Sequence, residues 1–182
     1  MDARLDSLAE IEERVWSELQ AAPRDAAHPW HVAVLATTDG MSGDGRSVVL
    51  RDVDAARRCI EFYTDARSPK LMQVQSHPRG TLVLWSEPTG WQLRLRVQLE
   101  AQLSGLSVSS RWARLKMTPA AHDYLSPLPP GSRIAAPGFD RGSRAYFAVV
   151  SAQVLAIDWL ELHALGHRRA LFESGEAHWL AP

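Results

Sequence analysis

Apolar and polar residues alternate without a break from Trp91 to Leu103. Side chains along a β-strand point to opposite faces in turn, so this pattern predicts a strand with one apolar face and one polar face. A helix would instead repeat its apolar residues every three to four positions. A chain that contains this segment therefore needs a sheet with one face against a core, while the other face contacts water or a ligand.

Short segments with strand-like patterns recur along the chain and outnumber the helical ones. Besides 91–103, strands are predicted at residues 31–36, 46–53, 58–64, 80–85, 145–157, 159–163, 168–172 and 177–180. An N-terminal helix is predicted within 1–22, further helices at 68–75 and 107–117, and a loop region rich in Pro and Gly over 118–143. Many short strands with few helices favour a mainly β fold, an antiparallel β-barrel with peripheral helices.

Length and composition indicate one domain without a nucleic-acid or membrane partner. The 182 residues, 46% of them hydrophobic, fit a single domain over 1–182. A net charge of −1 does not suggest a basic surface for nucleic acid, and no apolar run reaches the roughly 20 residues that span a bilayer. Cys59 is the sole cysteine, which excludes an internal disulfide. We expect a cytoplasmic protein with Cys59 buried in a strand.

Three side chains have the chemistry of a phosphate site. Arg46 lies in a predicted strand, while Ser68 and Lys70 stand at the predicted start of a helix. Free backbone N–H groups at a helix N-terminus favour an anion, and charge-assisted hydrogen bonds contribute about 1.5–3 kcal/mol each. The alternative interpretation is that Ser68 only caps the helix and Lys70 is a solvated charge.

A phosphate-bearing flavin would also need donors near N1 and O2 of its ring and an apolar or planar surface beside it. Gln92, Tyr63 and the backbone of residues 48–50 could supply these groups. Arg46 and Arg51 are an odd number of positions apart, so a regular strand would point them to opposite faces. Both can reach one ligand only if the strand contains a bulge.

Three motifs carry a family resemblance: Arg46-Ser-Val-Val-Leu-Arg51, Phe62-Tyr-Thr-Asp-Ala-Arg-Ser-Pro-Lys70 and Gln92-Leu-Arg-Leu-Arg96. Their order and spacing resemble the FMN-binding split barrel of the pyridoxamine 5'-phosphate oxidase family, in the branch with the motif Thr-Asp-x-Arg-Ser-x-Lys. The resemblance implies FMN as the cofactor. The residues that it places at FMN are Arg46, Val48, Val49, Arg51, Tyr63, Thr64, Ser68, Lys70, Gln92 and Arg169.

The same resemblance implies a homodimer with FMN at the subunit interface, a small-molecule substrate, and a loop around Pro130 that belongs to the neighbour's site. The chain departs from the oxidases where Pro69 replaces an Arg, Arg51 a Lys, and Leu165 the Arg of an Arg-x-His motif. These departures remove much of the expected grip on a pyridoxal phosphate group.

We therefore expect an FMN-dependent oxidoreductase that acts on an unidentified small substrate. Two alternatives stay open: a flavin-binding or flavin-storage module without turnover, and a cofactor-free β-barrel interaction protein. The residues named above do not identify a substrate, because none of them recognises a substrate of known chemistry.

Overall fold

The computed structural model describes residues 4–138, 140–143 and 145–182. Its helices are α1 (Leu8–Ala21), α2 (Pro69–Ser76) and α3 (Leu106–Leu115), with 3₁₀ turns at Ala22–Arg24 and Pro119–Tyr124. Its strands are β1 (Val32–Thr38), β2 (Gly43–Asp54), β3 (Cys59–Asp65), β4 (Arg79–Ser86), β5 (Trp91–Gln102), β6 (Phe147–Glu161), β7 (Arg168–Glu173) and β8 (Glu176–Leu180).

The strands form an antiparallel barrel. They follow the order β3-β2-β1-β4-β5-β6-β7-β8, and β3 also pairs with β6 from Cys59 opposite Gln153 to Asp65 opposite Phe147. This additional pairing closes β1 to β6 into a barrel, and β7 and β8 extend the sheet beyond β6. The predicted fold, a mainly β antiparallel barrel with peripheral helices, is confirmed.

The barrel core is built from the inward faces of the strands. In β5, Leu93, Leu95, Val97 and Leu99 are all buried, as the alternating pattern predicts. Residues of the other strands that complete this core include Leu35, Leu50, Ile60, Phe62, Leu82, Leu84, Ala152 and Ile157. Each large apolar side chain that is fully buried stabilises the fold by about 1.5–3 kcal/mol.

Helix α1 packs on the same core through Ile11, Val15 and Leu19. The helix begins after Ser7, whose hydroxyl accepts a hydrogen bond from the backbone N–H of Glu10, while the Glu10 carboxylate accepts one from the backbone N–H of Ser7. This reciprocal cap satisfies N–H groups that have no partner inside the helix. A smaller apolar cluster lies under α3 and contains Val108, Leu115, Tyr124, Phe147 and Val149.

Two predictions are wrong in detail. Strand β6 runs from Phe147 to Glu161 without the predicted break. Its pairing passes from β3 to β7 on one edge, while β5 pairs with the other edge from Val149 to Glu161 across one register shift. Cys59 does lie in a strand, but it is partly exposed because it shares the outward face of β3 with Glu61. None of the helices in the described residues is long and apolar enough to cross a membrane.

Candidate functional site

Lys70 lies at the start of α2 and points back toward the end of β3. Its Nζ donates to Oγ1 of Thr64 at 2.8 Å and to Oγ of Ser68 at 2.7 Å. Both hydroxyl residues are buried. Ser68 occupies the N-cap position of α2, but its side chain makes no capping hydrogen bond. The interpretation of Ser68 as only a cap and of Lys70 as a solvated charge is therefore wrong.

Arg46 reaches the same place from β2. Its guanidinium donates to Oε1 of Gln73 at 3.0 Å and also bonds the Thr37 hydroxyl and the Asp44 carboxylate. Gln73 lies one helical turn after Lys70 in α2. We call the group formed by Arg46, Thr64, Ser68 and Lys70 the cradle.

The electrostatics of the cradle favour an anion. Burial lowers the pKa of Lys70, and the nearby positive charge of Arg46 lowers it further, against the opposite effect of Asp65 and Asp44. Two cations that disfavour each other's charge in a partly buried place would both be stabilised by a dianion between them. The start of α2 adds backbone N–H groups with the same preference.

Arg51 lies at a bulge. The pairing of β2 with β3 places Leu50 opposite Phe62 and Asp52 opposite Glu61, so Arg51 has no partner in the register. Even so, its side chain does not join the cradle: the guanidinium carbon lies 6.0 Å from the ring centre of Tyr63, and the buried Nε has no hydrogen-bond partner. The extra residue alters the strand without bringing Arg51 to Arg46.

Tyr63 lies beside Arg51 and packs against the smaller apolar cluster under α3. Its ring centre lies 4.9 Å from that of Phe147, in an edge-to-face arrangement. Burial raises the pKa of Tyr63 and that of the neighbouring Tyr124, while the charge of Arg51 and a hydrogen bond from it act in the opposite direction on Tyr124. Both phenols therefore stay neutral near pH 7.

Gln92 and Arg169 lie in a second group, apart from the cradle. Both residues pair with Leu160, from β5 and β7 respectively, and so lie on one face of the sheet. Thr64 of the cradle pairs with Ala148, twelve residues before Leu160 on β6. That separation corresponds to about 40 Å of extended strand.

Arg169 is held by a carboxylate. Its Nε and one terminal nitrogen donate to Asp158 at 3.0 and 2.8 Å, and Arg94 bonds the same carboxylate. Burial alone would raise the pKa of Asp158, but the bonds and charges of Arg169 and Arg94 hold it below its ordinary value. Asp158 thus stays ionised and fixes the direction of Arg169.

An exposed apolar face lies between the two groups. Val32 pairs with Val49, Val34 pairs with Val83, and Trp85 pairs with Gln92. Val32, Val34 and Trp85 are 46%, 46% and 45% exposed, and exposed apolar residues that lie together mark a surface for contact with a partner or a ligand. The face therefore connects Val49, on the strand that carries Arg46, with Gln92.

The structure thus sorts the predicted residues by position. Arg46, Thr64, Ser68 and Lys70 form the cradle, with Val48, Val49, Arg51 and Tyr63 on the same two strands, while Gln92 and Arg169 lie elsewhere. Gln73, which bonds Arg46, is not among the residues predicted from the sequence. Its position three residues after Lys70, on one side of the predicted helix, is the signal that could have found it.

Comparison with known proteins supports the same fold. Residues 13–102 match the family described as pyridoxamine 5'-phosphate oxidase, FMN-binding domain. The chain belongs to the pyridoxamine 5'-phosphate oxidase-related family. The matched residues contain the cradle and Gln92 but end before Arg169. A comparison with curated proteins gives no match.

Solved structures share the split-barrel fold. A pyridoxamine 5'-phosphate oxidase-related, FMN binding protein from Nostoc punctiforme PCC 73102 is 21% identical, with 97% of this chain and 99% of that chain covered and a TM-score of 0.74. PhzG from Burkholderia lata 383, in complex with tetrahydrophenazine-1-carboxylic acid, is 16% identical, with coverage of 100% and 95% and a TM-score of 0.71. ChuZ from Campylobacter jejuni is 11% identical, with coverage of 97% and 64% and a TM-score of 0.61.

Proposed function

We propose that this chain binds FMN, with the phosphate in the cradle, and that it is an oxidoreductase acting on a small substrate. The observation that carries the proposal is the convergence of Lys70 with the Thr64 and Ser68 hydroxyls beside Arg46. The match of residues 13–102 to an FMN-binding domain supports it independently.

The donors of the cradle fit a phosphate dianion. Lys70 uses two N–H groups on hydroxyl oxygens, which leaves its third N–H and both hydroxyl protons able to donate. Arg46, whose charge acts on Lys70, would add a second cation. When bound, FMN exchanges a hydride or electrons with the substrate, and the residues of this chain would hold and orient it.

Gln92 and Arg169 are proposed to contact the flavin ring of the partner subunit in a homodimer. Both pair with Leu160 of β6, which is too far along this strand from Ala148, the partner of Thr64, for them to join the cradle of their own chain. The exposed face of Val32, Val34 and Trp85, which separates the two groups, is the surface on which we place the second copy. Its burial would cover apolar area and bring one chain's Gln92 toward the other chain's cofactor.

The substitution Lys70→Ala tests the phosphate site. Loss of one charge-assisted bond should weaken FMN binding about 10- to 150-fold. The affinity for riboflavin, which has the same ring without the phosphate, should stay the same. Both affinities can be measured by quenching of flavin fluorescence during titration with protein.

The matched control is Lys116→Ala, which removes the other lysine of the sequence, an exposed residue. This variant should bind FMN as the unmodified chain does. Equal FMN affinity for Lys70→Ala and Lys116→Ala would refute the assignment of the cradle. A colourless protein that takes up neither flavin would refute the proposed function as a whole.

A further inference from the structure

Arg67 lies in the turn between Thr64 and Ser68, but its side chain points away from the cradle. Its Nε and one terminal nitrogen donate to the two oxygens of Asp65 at 3.0 and 2.7 Å. Asp65 is buried. A two-bond pair of this kind fixes the plane of the guanidinium as well as its position.

The same guanidinium contacts residues 126–128 of the loop region 118–143. It donates to the backbone carbonyls of Ser126 at 2.9 Å, Pro127 at 3.2 Å and Leu128 at 3.3 Å. Its central carbon lies 3.3 Å from the ring centre of Tyr146, which follows the loop. One side chain therefore contacts both the first half of the loop region and Tyr146, which lies just beyond its end.

The backbone around Arg67 connects this contact to the cradle. The N–H of Arg67 donates to Oδ1 of Asp65 at 2.7 Å, and the N–H of Ser68 donates to the Asp65 carbonyl at 3.0 Å. The N–H of Ala66 donates to the Tyr146 carbonyl at 2.9 Å. A change in the position of Arg67 would thus move Ser68 and the first turn of α2, which carries Lys70.

We propose that Arg67 is a positioning residue that couples the docking of loop residues 126–128 to the grip of the cradle on the cofactor phosphate. This inference rests on the proposed function. Arg67 itself donates to the carboxylate and to the loop carbonyls, so its effect on the phosphate is exerted through Ser68 and Lys70. Because coupling is reciprocal, a phosphate in the cradle also stabilises the docked loop.

The substitution Arg67→Gln tests the coupling, because glutamine is polar but cannot span Asp65 and three carbonyls. The first measurement is the ratio of the riboflavin dissociation constant to that of FMN, which isolates the contribution of the phosphate. We expect the ratio to fall about fivefold or more, the lower end of ordinary coupling. A general loss of stability would weaken both ligands together and would leave the ratio unchanged.

The second measurement is cleavage by trypsin after the exposed loop residues Arg133 and Arg141, followed by mass spectrometry. FMN should slow these two cleavages in the unmodified chain, while riboflavin should not. In Arg67→Gln the cleavages should be faster, and FMN should no longer protect. The matched control is Arg58→Gln, which also removes an ion pair, to Glu12 at 2.8 Å, and a ring contact, to Trp16 at 5.3 Å.

Arg67→Lys keeps a charge for Asp65 but lacks the planar fork, so it should resemble the Gln variant in both measurements, and it carries the test if Arg67→Gln does not fold. An unchanged ratio in the folded variants, or equal changes in Arg58→Gln, would overturn the coupling and leave the proposed function intact. An unmodified chain without preference for FMN over riboflavin would overturn both.

Discussion

The lowered pKa of Lys70 predicts that the affinity for FMN depends on pH. Its pKa is lowered from the ordinary 10.5 by burial and by Arg46, so the empty protein loses this positive charge at a lower pH than a free lysine does. A phosphate dianion needs the charged form, and FMN affinity should therefore fall, by up to tenfold per pH unit, above the lowered pKa. The ratio of riboflavin to FMN dissociation constants between pH 7 and 10.5 measures this fall, since riboflavin corrects for titration of the ring.

The control for this prediction is Lys70→Arg, which keeps its charge throughout the range. Its ratio should stay level where that of the unmodified chain declines. A level ratio for the unmodified chain up to pH 10.5 would show that Lys70 does not carry the phosphate contact.

At the scale of residues, the sequence indicated which side chains belong to the candidate site better than it indicated their contacts. Arg46, Ser68 and Lys70 could be named from charge and from the helix start at Pro69, and the structure brings them together. The direction of Arg67 could not be predicted, because its partners at Ser126–Leu128 are distant in the sequence and are brought near only by the complete fold. The position of Arg51 depended on a bulge that no local pattern marks.

At the scale of elements, the geometry of the turn between β4 and β5 predicts the cost of a substitution at Gly90. Gly90 has φ +66°, and a Cβ there would lie 2.5 Å from the carbonyl oxygen of Leu162. The backbone N–H of Leu162 also donates to the Gly90 carbonyl at 2.8 Å, so neither segment can move away without losing this bond. Gly90→Ala should lower the free energy of unfolding by more than about 2 kcal/mol, measured by urea denaturation.

Gly175 supplies the control, in the turn between β7 and β8. Its φ is +80°, but a Cβ there would meet nothing within 4 Å. Gly175→Ala should therefore show only the cost of the left-handed conformation, about 1–2 kcal/mol. Equal losses in the two variants would mean that the close approach of Leu162 adds nothing.

Elements with a strong local pattern could be predicted from the sequence. The alternation from Trp91 to Leu103 gave β5, which the structure bounds at Trp91–Gln102. The continuity of β6 could not be predicted in this way, because the four consecutive apolar residues from Val154 to Ile157 interrupt the alternation just before Asp158 and Trp159. These residues belong to one strand because β5 and β7 pair with them on both sides.

At the scale of the whole molecule, the closure of the barrel depends on contacts between distant parts of the chain. Tyr63 lies opposite Val149, and no periodicity in either strand identifies the other as its neighbour. The barrel class could be predicted because many short strands favour closure, which leaves no free edge among β1 to β6. The separation of Gln92 and Arg169 from the cradle followed only from the register.

The separation of Gln92 and Arg169 from the cradle leads to the last prediction, which concerns the assembly of two chains into a dimer. If the face of Val32, Val34 and Trp85 joins two copies, Val34→Glu would place an unpaired carboxylate from each chain in an apolar interface. This arrangement costs several kcal/mol, enough to separate a dimer of ordinary stability at micromolar concentration. The variant should be a monomer by light scattering after size-exclusion chromatography. Its FMN affinity should fall as well, because the partner's Gln92 and Arg169 are lost.

Leu103→Glu is the matched control for this experiment, because Leu103 is 48% exposed, close to the 46% of Val34, but lies beyond the end of β5. This variant should remain dimeric and should bind FMN as the unmodified chain does. A dimeric Val34→Glu variant with full FMN affinity would place the interface elsewhere. A monomeric variant that retained full FMN affinity would instead show that one chain's cradle suffices, so that Gln92 and Arg169 would lose their proposed role at the partner's flavin.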